Sequence, residues 1–149
     1  MKNRILITIV IVVSFVCCKK SEKELEKESL EIIIETVPVN DFTKWIIILP
    51  GMGCHGCIQE GEAFMKDNVN NKDILFVLTK TESLKILQNK LEIKLKEHTN
   101  IYIDSKESFN FIYPCIVHLE NGKIKSHEFQ SPGNNAFEKL KNRLLLAEE

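Results

Sequence analysis

Trp45-Ile46-Ile47-Ile48-Leu49-Pro50-Gly51-Met52-Gly53-Cys54-His55-Gly56-Cys57 is the stretch from which the fold can be read. Its first part is apolar on both faces, the pattern of a strand buried in the middle of a sheet. Residues 57–68 follow with Ile58, Ala63, Phe64 and Met65 available for packing, and read as an amphipathic helix. The two cysteines therefore stand where a strand turns into a helix. A CxxC at such a junction is a redox or soft-metal site.

Working outward, residues 30–37 (LEIIIETV) are rich in β-branched side chains and predict a strand that Pro38 ends. Residues 74–78 (ILFVL) form another wholly apolar strand. Thr81 can cap a helix over 81–97, with Leu84, Leu87, Leu91 and Leu95 on one stripe. Residues 100–104 predict a short strand, and 105–112 a short helix carrying Phe109 and Ile112. Cys115–Glu120 and Lys123–Phe129 flank Asn121-Gly122, the strongest local hairpin signal. After Pro132-Gly133, Asn134 or Asn135 can cap a last helix that turns Phe137, Leu140, Leu144 and Leu145 inward. Strands alternating with helices and closing in a hairpin imply an α/β fold, a mixed sheet covered by helices on both faces.

The amino terminus bears on where the chain resides. Met1-Lys2-Asn3-Arg4 is basic, residues 5–16 are almost wholly apolar, and Cys17-Cys18-Lys19-Lys20 follow. The apolar run is short for a membrane span and reads as an export signal. It resembles a bacterial lipoprotein signal over residues 1–18, in which Cys18, or alternatively Cys17, becomes the lipidated residue. An uncleaved anchor helix is the other reading. Residues 19–29 read as a charged tether, and 30–149 as one domain. Both readings of the signal place that domain in the cell envelope, against a membrane and facing the periplasm or cell exterior. Of five cysteines, Cys54, Cys57 and Cys115 remain for the folded part, an odd count that argues against a disulfide framework. The net charge of −1 supplies no basic footprint for nucleic acid.

The chain resembles the thioredoxin-like fold, and more narrowly the membrane-anchored thiol-disulfide oxidoreductases of bacterial envelopes. The likeness is carried by the strand-CxxC-helix junction, by Tyr113-Pro114-Cys115-Ile116-Val117, and by the hairpin sequence from His118 to Ile124. It implies that Pro114 is held in cis opposite the cysteine pair; a trans turn proline is the other reading. It also implies that Glu60, three residues past Cys57, belongs to the site, and that the partners are protein thiols and disulfides together with a membrane redox partner. No cofactor is implied. The chain departs from the family in having Gly53 where a tryptophan usually precedes the first cysteine, in lacking an acidic residue on the strand 45–49, and in a shorter loop before Pro114.

Exchange chemistry needs a thiolate attacker and a second thiol to resolve the mixed disulfide. Cys54 at the helix start is the expected attacker and Cys57, one turn in, the resolver. A helix end is worth about 0.3–1 kcal/mol, less than the roughly 1.4 kcal/mol of one pKa unit. Stronger thiolate stabilisation therefore needs a neighbour, and His55 is the candidate; otherwise it is a solvent-facing side chain. Glu60 can relay a proton to Cys57, or simply be an acid in the first helical turn. Cys115 reads as a core thiol or as a third redox cysteine.

Two other functions compete. Gly51-Met52-Gly53-Cys54-His55-Gly56-Cys57 also resembles the GMxCxxC loop of heavy-metal chaperones of ferredoxin-like fold, with Cys54 and Cys57 as Cu(I) ligands. That likeness covers only residues 44–80. A redox-inactive interaction module with a stapling disulfide is the third reading. Ile58, where haem attachment would place histidine, argues against a c-type haem.

Overall fold

A computed structural model describes residues 22–106 and 109–146. By compactness the chain divides into residues 1–30 and 31–149. Of the first unit, the described residues 22–30 are the leading part of a helix. The expected export signal and its cysteines, Cys17 and Cys18, lie outside the described residues.

That helix, α1 (Glu22–Thr36), corrects the strand expected over 30–37. Leu30, Ile33 and Val37 are buried, whereas Ile32 is exposed. Spacings of three and four mark one face of a helix, not the alternation of a strand. Glu, Lys and Leu upstream are good helix formers. Once they have nucleated a helix, extending it through three isoleucines costs little.

The sheet has five strands: β1 (Trp45–Pro50), β2 (Ile74–Thr79), β3 (Ile101–Asp104), β4 (Cys115–Glu120) and β5 (Lys123–Phe129). Their order across the sheet is β3-β2-β1-β4-β5. β1 pairs in parallel with β2, and β2 with β3. β4 runs antiparallel to β1, and β5 to β4. The connecting helices are α2 (His55–Asn68) and α3 (Leu84–Leu91). Two successive parallel crossovers that step the same way across a sheet, both right-handed, leave their helices on the same face. On that face Trp45, Ile47, Leu49, Phe76, Leu78 and Ile116 join Phe64 and Met65 of α2 in one core. The last helix, α4 (Ala136–Leu146), adds Ala136, Phe137 and Leu140 to it. The alternate residues Ile46, Ile48, Leu75, Val77, Cys115 and Val117 are also buried, at 0–3% exposure, so the sheet is central. This is a thioredoxin-like α/β arrangement.

Several boundaries follow from identifiable contacts. The expected helix over 81–97 begins only after Ser83, whose side chain accepts from Ile86 N (3.3 Å). It ends where Glu92 turns left-handed, and a 3₁₀ turn, Leu95–Glu97, follows. The Gln88 side chain accepts from Leu95 N (3.1 Å), replacing the helical bond lost there. The short helix expected over 105–112 does not form among its described residues. Instead the buried Asp104 carboxylate accepts from Lys106 N and Phe109 N, which sets a loop. The hairpin closes as its sequence predicts: Asn121 and Gly122 both have positive φ, 54° and 73°, as a type I′ turn requires.

Gly61 sits inside α2, where alanine would be the better helix former. A Cβ there would lie 2.5 Å from Leu49 Cδ2 and 3.1 Å from Phe137 Cζ. The glycine lets α2 settle onto β1 and α4. Gly61→Ala should therefore destabilise the domain by about 1–3 kcal/mol through overpacking, measured as a lower urea midpoint.

At the far end of β1, Trp45 stacks on His118, its partner on β4, with ring centroids 4.3 Å apart and planes 17° from parallel. Burial and the nearby Lys125 and Arg143 charges hold the His118 pKa below its usual value, against an opposing pull from Glu120. The unfolded chain, titrating near pH 6.5, then binds a proton that the folded chain rejects. This contribution to stability is present above about pH 6.5 and is lost as pH falls through the lower folded value. Urea midpoints at pH 7.5 and pH 5 should drop less in His118→Phe than in wild type.

Candidate functional site

β1 delivers the chain to the site through two glycines that the backbone demands. Gly51 N donates to Thr79 O (2.7 Å), and a Cβ on Gly51 would run into the Lys80 carbonyl and Thr81 Cα. Gly53 has φ +140°, and a Cβ there would overlap the Ile112 carbonyl. That close approach explains why this position cannot carry the tryptophan common in the resembled family. The next residue, Cys54, donates its N–H to Ile112 O (2.9 Å) and is the N-cap of α2. Its own carbonyl accepts from Ile58 N (2.9 Å), the first bond of the helix.

Cys54 and Cys57 form a disulfide, with sulfurs 2.11 Å and Cα atoms 5.3 Å apart. The CxxC pair is thus closed by a bond between its own two sulfurs. The two sulfurs are not equivalent. Cys54 is part-exposed at the helix N-terminus, where backbone N–H groups and the positive dipole end favour a thiolate. Cys57 is 4% exposed, tucked under the first turn. Cys54 is thus the more accessible of the two sulfurs.

Pro114 is buried at the entrance to β4, two residues past the Ile112 carbonyl that holds Cys54. Its peptide bond is trans, since the described residues contain no cis bond; this corrects the cis geometry implied by the resemblance. Trans is the isomer that X–Pro bonds favour by about 0.5–1 kcal/mol, and a proline just before a strand has no ladder N–H to supply. Here a backbone carbonyl, not a cis turn, brings the loop to the cysteines. Cys115 is a buried thiol paired in register with Ile48. Ile48 alternates with the core residues Ile47 and Leu49 that face α2, so Cys115 belongs to the sheet face away from the disulfide. This matches the core-thiol reading.

His55 is exposed, with Nε2 3.0 Å from Gln59 Nε2 one turn on. Glu60 is exposed on α2, and its Oε2 accepts from Gln130 Nε2 (2.6 Å). Gln130, 2% exposed, was not anticipated from the sequence. Its N–H donates to Pro114 O (2.8 Å), its amide donates also to Asn134 O (2.9 Å), and its Oε1 accepts from Phe137 N (3.3 Å). A glutamine at a strand end matches no motif, and its link to Glu60 spans 70 positions. Ile112 was foreseen only as a packing residue; its carbonyl carries the contact, which side-chain pattern does not reveal.

A cavity of about 360 Å³ opens beside the pair, with Gly53, His55 and Ile58 on one side and Ser83, Ile86 and Leu87 on the other. Exposed Met52 and Ile112 flank Cys54, so the disulfide lies in a partly apolar surround. Among the described residues, no group of three or more His, Cys, Asp or Glu side chains could hold a metal, and no helix is long and apolar enough to cross a membrane.

No family model matches this chain, nor does any curated protein or any solved structure. The fold and site therefore stand by themselves as a thioredoxin-like α/β domain with a CxxC pair at disulfide distance.

Proposed function

We propose that the chain is a thiol-disulfide oxidoreductase of the cell envelope, held to the membrane by a lipidated Cys18 and exchanging disulfides with protein thiols. The observation that carries it is the asymmetric pair: part-exposed Cys54 capping α2, bonded to buried Cys57. In the reductive direction the Cys54 thiolate attacks a substrate disulfide. One substrate sulfur leaves as a thiol and a mixed disulfide forms. Cys57 then attacks Cys54, releasing the second substrate thiol and restoring the Cys54–Cys57 bond. The reverse sequence oxidises a dithiol. In this reading His55 stabilises the Cys54 thiolate and Glu60 takes the Cys57 proton. Protein substrates dock against Met52, Ile112 and the Pro114 segment, and a membrane partner resets the pair.

The competing metal reading draws less support. Gly51 and Gly53, which carry its motif, are accounted for by their contacts with the 79–81 and 112 backbones. β1 and β2 are direct neighbours, whereas the ferredoxin-like fold splits its βαβ units. Insulin reduction with dithiothreitol as electron source tests the proposal; a chain that does not accelerate it, and does not reoxidise reduced protein thiols either, is not an oxidoreductase. Mass spectrometry of the native N-terminus tests the anchor: an acylated Cys18 is expected, and an unmodified Met1 rejects it.

A further inference from the structure

We infer that Gln130 is a positioning residue for the resolving step, holding the Glu60 carboxylate where it can receive the Cys57 proton. The inference rests on the exchange chemistry proposed above. Glu60 lies three residues past Cys57 on α2, so both occupy adjoining positions on the helix surface. An exposed glutamate in a helix ordinarily swings through several rotamers. This one is tied at Oε2 by an amide that is itself 2% exposed and locked. Two bonds lock that amide, Nε2 on Asn134 O and Oε1 receiving Phe137 N, and the backbone N–H on Pro114 O fixes the residue that carries it. With Oε2 engaged, Oε1 remains to accept a proton. The same glutamine also binds, through Pro114 O, the segment whose Ile112 carbonyl fixes Cys54. One residue thus joins the two, its side chain holding the Glu60 carboxylate and its backbone N–H the loop that faces the disulfide.

The step balances as follows. In the mixed disulfide Cys54 is bonded to a substrate sulfur and Cys57 is a thiol. Glu60 takes the Cys57 proton, and the Cys57 thiolate attacks Cys54 Sγ. The Cys54–substrate bond breaks, and the departing substrate thiolate takes a proton from Glu60. The Cys54–Cys57 bond has formed, and the carboxylate is regenerated.

A purely structural role for Gln130, as a cap on α4, makes different predictions, and stopped-flow kinetics separates the two. The first step is read as attack by Cys54 on a disulfide peptide in a Cys57→Ser background. Resolution is read in the intact pair as release of the second peptide thiol, across pH 5–9. Gln130→Met should slow resolution about tenfold, a fraction of what general acid-base groups contribute, and flatten its pH profile. It should leave the first step unchanged. Gln130→Glu keeps an oxygen for Phe137 N but has no amide donor, and should slow resolution likewise even if Gln130→Met fails to fold. Because Gln130 acts only through Glu60, adding either variant to Glu60→Gln should cost nothing beyond Glu60→Gln alone. Equal slowing of both steps, an unchanged pH profile, or a further loss when a Gln130 variant is added to Glu60→Gln would overturn the assignment while leaving the exchange reaction intact. A wild-type chain that exchanges with no disulfide peptide would instead remove the reaction itself, and the inference with it.

Discussion

Cys54→Ser should lower disulfide exchange by roughly 10³-fold or more, the scale of losing a nucleophile outright. The hydroxyl that replaces the thiol is not ionised near neutral pH, and an alkoxide at a helix end gains far too little from the dipole to change that. Cys57→Ser should behave differently. Cys54 remains part-exposed and able to attack, but the buried resolver is gone, so mixed disulfides with substrate proteins should accumulate. Non-reducing gels, with tryptic identification of the linked peptide, read the difference directly. Adducts should appear in Cys57→Ser, be absent in Cys54→Ser, and collapse on adding dithiothreitol. Equal insulin reduction by Cys54→Ser and wild type would refute the assignment of the attacker. Adducts through Cys115 would contradict its burial on the opposite sheet face.

The largest stability loss is expected from Gly53→Ala, about 2–4 kcal/mol. It combines backbone strain at φ +140° with a Cβ forced against the Ile112 carbonyl. Relief would require Cys54 N–H and Ile112 O to separate, so the variant should also expose the loop before Pro114 to faster amide exchange. Gly56→Ala supplies the control. Its Cβ meets open space among the described residues, and alanine is the better helix former, so that variant should match wild type or gain up to about 1 kcal/mol. The urea midpoint should fall in Gly53→Ala and hold or rise in Gly56→Ala. Comparable losses at both positions would mean that the loop does not press on Gly53.

Much of the sheet was legible because its signals are local. The apolar runs at 45–50 and 74–78 and the Asn121-Gly122 turn each state their structure within a few residues. Two of the misreadings occur where nearby residues overrule the composition of a short window. Ile32-Ile33-Ile34 is strand-like in composition, yet the helix formers upstream carry it into α1. Residues 105–112 carry apolar positions a helix could bury, yet the Asp104 carboxylate takes the N–H groups of Lys106 and Phe109 and sets a loop. Pro114 was placed near the cysteines but given the wrong isomer, because the resemblance carried the geometry and the residues did not.

By itself the chain's spelling determined that two thiols would sit one helical turn apart at the end of a buried strand. Hydrophobic period and turn chemistry act over a handful of residues, so they survive without knowledge of the rest. Tertiary structure decided which backbone carbonyl faces Cys54, why Gly53 must lack a side chain, and that Gln130 would reach Glu60. Those contacts join segments far apart along the chain, and they exist only once β4 has paired beside β1 and brought its flanking loops to the same edge of the sheet.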